Sequence, residues 1–139
     1  MAYKNNAVGQ KAQNFDLTIS ENDKTTTLYD LNIAEEYLII FWSSTCGHCL
    51  EELPKVKSFL TTKPKVKVIA IGLEDEARNW EKAINDYPDF IHVLGLGKWN
   101  NSIVNAYDVS STPTYVLLDN NKTIIAKPND LEALKKVLE

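Results

Sequence analysis

Apolar and polar positions alternate and cluster along the chain in patterns that mark out its elements. Phe15-Asp16-Leu17-Thr18-Ile19 alternates, and Lys24-Thr25-Thr26-Thr27-Leu28 is rich in β-branched residues. The polar stretch Ser20-Glu21-Asn22-Asp23 between them is turn-like, so the segment predicts an N-terminal β-hairpin. Tyr37 to Ser43 is a continuous apolar run of the kind buried on both faces of a sheet. It leads into a predicted helix from about Gly47 to Leu60, which Pro64 stops from extending.

The same alternation continues to the end of the chain. Val66 to Leu73 reads as a second buried strand, followed by a helical stretch around Asp75 to Asn85, a short Ile91-His92-Val93-Leu94 strand and a helical stretch near Asn101 to Tyr107. Thr114 to Leu118 and Thr123 to Ala126 flank Asp119-Asn120-Asn121-Lys122 and predict an antiparallel hairpin. Asn129 or Asp130 then caps a terminal helix carrying Leu131, Leu134, Val137 and Leu138. The sum is an α/β fold: a central mixed sheet with helices on both faces and an N-terminal hairpin added.

Composition narrows the class. A chain of 139 residues suits one domain with a substantial core, expected to span residues 1–139. The formal charge of -4 and the absence of a Lys/Arg stripe argue against a nucleic-acid-binding surface. No apolar stretch approaches the roughly 20 residues that cross a bilayer, and Met1-Ala2-Tyr3-Lys4 has no apolar signal-peptide core behind it. The chain as it stands is expected to be soluble, and a leader or anchor removed from upstream remains compatible with it.

The chemistry centres on Cys46-Gly47-His48-Cys49, directly after the buried strand and at the start of the helix. These are the two cysteines of the chain, at the spacing of a dithiol that opens and closes a disulfide. One sulfur at the helix N-terminus is exposed and favoured as a thiolate, and the other, about a turn deeper, can attack a mixed disulfide formed on the first. Cys46 is thus the expected nucleophile and Cys49 the resolving thiol. A zinc site would need about four ligands, and the remaining histidines are His48, in the same loop, and distant His92. A purely structural disulfide closing so short a loop would remove little entropy from the unfolded chain. No metal, flavin or nucleotide cofactor is expected.

Phe41-Trp42-Ser43-Ser44-Thr45-Cys46-Gly47-His48-Cys49, Pro54 in the following helix and Ser111-Thr112-Pro113-Thr114 before a strand together resemble the thioredoxin superfamily, over nearly the whole chain. Val8-Gly9-Gln10-Lys11-Ala12 through Phe15-Asp16-Leu17, with Glu51-Glu52-Leu53-Pro54, resembles the extracytoplasmic thioredoxin-like reductases of the TlpA and ResA kind. The resemblance implies a cis peptide at Thr112-Pro113 beside the dithiol, with the Thr112 backbone able to pair with an extended substrate segment as an added strand. It also implies an acidic residue near the buried thiol at Glu52. That residue lies three positions beyond Cys49 on a similar helix face and could accept its proton, although most helical glutamates are solvated. Glu51 is expected outside.

Two departures from the thioredoxin pattern matter. Ile40 stands where cytosolic thioredoxins place a buried Asp, so a base must come from elsewhere, and Thr45 replaces the Trp that often precedes the first cysteine. Gly47-His48 resembles the dipeptide of protein disulfide isomerases, which implies that the imidazole stabilises the Cys46 thiolate or faces solvent. His48 and Trp42 join Thr112 and Pro113 as substrate-side candidates, Trp42 chiefly as packing beneath the loop. Trp80 and Trp99 are expected to be packing residues, and His92 a satisfied one.

The expected function is a protein dithiol-disulfide oxidoreductase, monomeric and extracytoplasmic by resemblance, with protein disulfides as substrates and another dithiol as electron donor or acceptor. A thiol peroxidase is the alternative suggested by a similar Val-Gly-x-x-Ala-x-x-Phe opening in peroxiredoxins. Those proteins place Thr three residues before their reactive Cys, where this chain has Ser43. A Cu(I)-binding delivery module is the other alternative, since two thiolates suit soft Cu(I), but the one methionine is Met1.

Overall fold

The computed structural model describes residues 6–19 and 23–138. The expected turn at Ser20-Glu21-Asn22 and the first four residues lie outside them. In chain order the elements are β1 (Asp16–Ile19), β2 (Lys24–Thr27), β3 (Glu36–Trp42), α1 (Gly47–Leu60), β4 (Val66–Glu74), α2 (Arg78–Ala83), β5 (Ile91–Leu96), α3 (Ser102–Ala106), β6 (Thr114–Asp119), β7 (Ile124–Ala126) and α4 (Leu131–Leu138).

β1 and β2 pair antiparallel as a separate hairpin, and the central sheet has the order β5-β4-β3-β6-β7. β3 runs parallel to β4 and β4 to β5, whereas β6 is antiparallel to both β3 and β7. The continuous apolar run read for β3 has its reason here: as the middle strand it buries every residue from Tyr37 to Trp42. Ile39, Phe41, Ile71 and Leu118 face the hairpin and α3, packing with Phe15, Leu17, Leu28, Val104 and Tyr107. Leu38, Ile40, Trp42, Ala70 and Leu117 face the other way, onto Cys49, Leu53 and Val56 of α1 and Leu134 of α4.

Some boundaries differ from the sequence reading, each for a local reason. β4 runs one residue further than expected and β5 two, ending on the pairs Leu73 with Gly95 and Glu74 with Leu96, and α2 starts only at Arg78. The helical pattern past Ala83 continues as one 3-10 turn, Ile84–Asp86. Asn101 is the N-cap of α3, accepting from the Ile103 N–H at 2.9 Å. In the terminal helix Asp130 takes the capping role, accepting from the Ala133 N–H at 2.9 Å. Leu131 and Leu134 are buried and Leu138 packs against the same core, whereas Val137, off that stripe, is exposed.

The N-terminal segment lies along the outer strand of the sheet. The Gly9 N–H donates to the Ile124 carbonyl at 2.8 Å, the Ile124 N–H to Gln10 at 2.9 Å and the Ala12 N–H to Lys122 at 2.8 Å. None of the helices in the described residues is long and apolar enough to cross a membrane.

Candidate active site

α1 begins immediately after the buried end of β3, so its first turn lies at the carboxyl edge of the central strands, where parallel α/β sheets place their ligands. Cys46 is the N-cap of α1, in an extended conformation with φ -92° and ψ 110°. Its sulfur does what an N-cap oxygen does, accepting the Cys49 N–H at 3.2 Å. The Cys46 N–H donates to the Ser43 carbonyl at 3.1 Å, which closes the loop between strand and helix. Both cysteines are free thiols; Cys46 is half-buried and Cys49 fully buried.

The two sulfurs have opposite tendencies. Burial acts to raise the Cys46 pKa, but hydrogen bonding with the Cys49 thiol, with Thr112 and with the backbone of Cys49 and His48 outweighs it and brings the value below the usual 9.0. Burial is also the largest influence on Cys49, and there the bond to Cys46 acts with it, so its pKa is pushed up to about 12. One thiol therefore ionises more readily than an ordinary cysteine, and the other holds its proton.

The Thr112–Pro113 peptide is cis, and the Cys46 thiol donates to the Thr112 carbonyl at 3.7 Å. Thr112 and Pro113 are both part-exposed. Thr112 thus joins Cys46 on the wall of a cavity of about 180 Å3 whose other lining residues are Ser43, Thr45, Leu73, Lys98 and Trp99. Residues 35–124 match the thioredoxin-like family model. The chain belongs to the thioredoxin-like family.

Solved structures agree with that assignment. A domain of a possible thiol-disulfide isomerase from Cytophaga hutchinsonii is 31% identical with a TM-score of 0.79, covering 95% of this chain and 90% of that one. The C-terminal domain of an uncharacterised Bacteroides fragilis protein is 29% identical with a TM-score of 0.77, over 96% and 97% of the two chains. A thiol:disulfide interchange protein from a Bacteroides species shares the fold at 22% identity and a TM-score of 0.76, over 100% and 90%. No curated protein matches the chain significantly. With its hairpin extension, the protein has the thioredoxin-like fold.

Glu52 is buried, with its side chain 10% exposed, whereas Glu51 next to it faces solvent. One of its carboxylate oxygens accepts from the Tyr115 hydroxyl at 2.7 Å, and the other lies 2.8 Å from Nε2 of His48, one helical turn back. Burial first, and the Glu52 carboxylate second, push the Tyr115 pKa well up, so its hydroxyl remains a donor. Among the described residues Glu52 hydrogen-bonds to these two side chains and to neither cysteine. The Tyr115 hydroxyl is near enough to feel the Glu52 carboxylate and, once it ionises, the Cys49 thiolate.

His48 is placed at the surface, 67% exposed, and Trp42 in the core, where its packing role was expected. The His48 imidazole is engaged with Glu52 and meets Cys46 only through its backbone, because an i, i+4 pair on one helix face outreaches a contact back to the N-cap. Trp42 is fully buried between β3 and α1, so it has no surface for a substrate to touch.

Two residues that sequence reasoning passed over complete the site. Glu74, 2% exposed, ends β4 and accepts from the Ser44 N–H at 2.8 Å and the Ser44 hydroxyl at 2.6 Å, tying down the loop two residues before the nucleophile. Nothing in the acidic run Glu74-Asp75-Glu76 distinguishes it from a solvated face. Trp99, read as a packing residue, is 47% exposed beside Cys46. The signal that could have found it is Gly97 two residues earlier, which at φ 87° turns the chain out of β5.

Proposed function

We propose that this chain exchanges electrons with protein disulfides through Cys46 and Cys49. The observation that carries the reading is the inequality of the two thiols, one lowered below 9.0 at a helix N-terminus and the other pushed up to about 12 behind it. The Cys46 thiolate attacks one sulfur of a substrate disulfide, forming a mixed disulfide and expelling the other substrate sulfur as a thiolate, which takes a proton from solvent. Cys49 then loses its proton and attacks the Cys46 sulfur. The second substrate thiol leaves, and the chain is left with a Cys46–Cys49 disulfide and two electrons fewer. A dithiol partner restores it by the same steps in reverse.

Glu52 is assigned to the proton side of the resolving step. Its buried carboxylate lies one turn beyond Cys49 and holds Tyr115, whose hydroxyl is within electrostatic reach of both. The part-exposed Thr112 backbone beside Cys46 is the assigned pairing edge for an extended substrate segment. Residues 1–139 act as one monomeric domain outside the cytoplasm, in keeping with the TlpA and ResA likeness.

The test is trapping. Cys49→Ser should accumulate a covalent complex with a disulfide protein such as insulin, released by dithiothreitol, and Cys46→Ser should form none. Equal trapping by both variants would remove the assignment of roles. The direction of flow follows from the reduction potential of the couple: about -250 mV or below fits a reductase, and about -180 mV or above an oxidase or isomerase.

A further inference from the structure

The resolving thiol is sealed off from the solvent that must finally take its proton. Cys49 is fully buried under the first turn of α1, and burial holds its proton on. Glu52, three residues further along the helix, is the carboxylate at hand, but its two oxygens are turned elsewhere. One accepts from the Tyr115 hydroxyl at 2.7 Å and the other lies 2.8 Å from Nε2 of His48. A proton that moves from Cys49 to Glu52 therefore needs a carrier.

Tyr115 is placed to be that carrier. It is the second residue after the cis Pro113, and on β6 it pairs with Ile40 of the central strand. Its ring packs in the same core layer as Cys49, among Leu38, Ile40, Leu53 and Leu117. In such surroundings a hydroxyl is costly unless it is bonded, and phenylalanine would fill the space equally well. The hydroxyl points at Glu52 and is near enough to Cys49 to feel its charge. A phenolic hydroxyl has one proton to give and lone pairs with which to receive another. Tyr115 can thus pass a proton on and take one up in the same movement, without ever becoming a phenolate.

We infer that Tyr115 carries the Cys49 proton to Glu52 during the resolving step. As the Cys49 sulfur bonds to the Cys46 sulfur, the bond from Cys46 to the substrate sulfur breaks and its electron pair leaves on the substrate thiolate. The Cys49 proton passes to the Tyr115 oxygen while the proton of Tyr115 passes to the carboxylate oxygen that it already faces. Glu52 then releases its proton to solvent through the open cavity of about 350 Å3 that it lines with His48, Glu51, Lys55, Asp130 and Glu132. When the chain is reduced by a dithiol partner, the same protons return along the same groups. The inference rests on the exchange reading above and adds a residue to it.

Single-turnover exchange with a disulfide-linked homodimer of a short peptide tests it. Samples quenched in acid at intervals are resolved by mass, so that the mixed disulfide is seen to appear as Cys46 attacks and to disappear as Cys49 resolves it. Tyr115→Phe should leave the appearance rate nearly unchanged and slow the disappearance about 100-fold, at the low end of what positioned proton transfer contributes. In mixtures of light and heavy water, the disappearance rate of the unaltered protein should fall along a curve, because more than one proton moves at once, and that of Tyr115→Phe along a straight line. An unchanged disappearance rate in Tyr115→Phe, or a straight line in the unaltered protein, overturns the carrier and leaves exchange standing. Equal slowing of both steps marks a packing role and overturns it as well. Failure of any mixed disulfide to form at Cys46 overturns the exchange reading, and the carrier with it.

Discussion

Nε2 of His48 lies 2.8 Å from Oε2 of Glu52, so the histidine of the CGHC loop turns its ring along the helix toward a buried carboxylate and away from the attacking sulfur. The other oxygen of that carboxylate is held by Tyr115 on β6, which ties the first turn of α1 to the strand that follows Pro113. The pair joins a solvent-facing group, 67% exposed, to one 10% exposed.

Replacing His48 by Gln should therefore leave the ionisation of Cys46 nearly in place. Thiolate absorbance at 240 nm followed against pH should show an inflection within about half a unit of the unaltered protein, since a shift of a whole unit would mean about 1.4 kcal/mol of direct interaction. A larger upward move would show that the ring reaches Cys46 after all.

The two thiols should separate in alkylation. With the Cys46 pKa below 9.0, iodoacetamide reactivity should rise through an inflection below pH 9 and belong to Cys46 alone, with Cys49 silent until strongly alkaline solution. Mass mapping of the singly modified product checks the assignment.

Stability should carry the Cys49 signature at high pH. A thiol whose folded pKa is raised to about 12 favours the folded state fully below the unfolded value near 9 and loses that contribution as pH rises toward 12. Urea midpoints of the reduced protein should fall across this window more steeply than those of Cys49→Ser. Parallel curves would remove the effect of burial on this thiol.

Glu74→Ala should destabilise the protein by about 1 to 3 kcal/mol and slow exchange, because the Ser44 N–H and hydroxyl lose both partners. Ser44→Ala removes only one of the two bonds and should cost less. Chemical denaturation gives the order, and an inverted order would mean that the carboxylate does not anchor the loop.

Gly72→Ala should be felt at Trp80. A Cβ at Gly72 would lie 2.6 Å from Cδ1 of Trp80, so the ring must move, at a cost of about 1 to 3 kcal/mol. Trp80→Leu in the same chain should recover part of it, which thermal unfolding of the three variants would show.

The sheet and most helices were legible because they rest on short-range patterns: the unbroken apolar run of β3, the stripe of Cys49, Leu53, Val56 and Leu60, and Asp130 ahead of a helix. The dithiol was legible from spacing. What was not legible depends on partners distant in sequence. Glu74 looks like its acidic neighbours until Ser44, thirty residues away, claims both of its oxygens. Trp99 and Trp42 are one residue type with opposite fates, because strand position buries one and a left-handed turn exposes the other. The His48–Glu52 pair lay at helical spacing, yet the likeness to isomerases directed the histidine to the other neighbour.

The segment from Gly9 to Ala12 bonds to Lys122 and to Ile124, the first residue of β7, and so covers the start of the row of donors and acceptors at the border of the central sheet. Unpaired strand borders recruit other chains, so these few residues, remote from the dithiol, guard against self-association. Proteolytic clipping after Ala12 would convert a well-behaved redox protein into one that stacks border to border, with its sulfurs still intact.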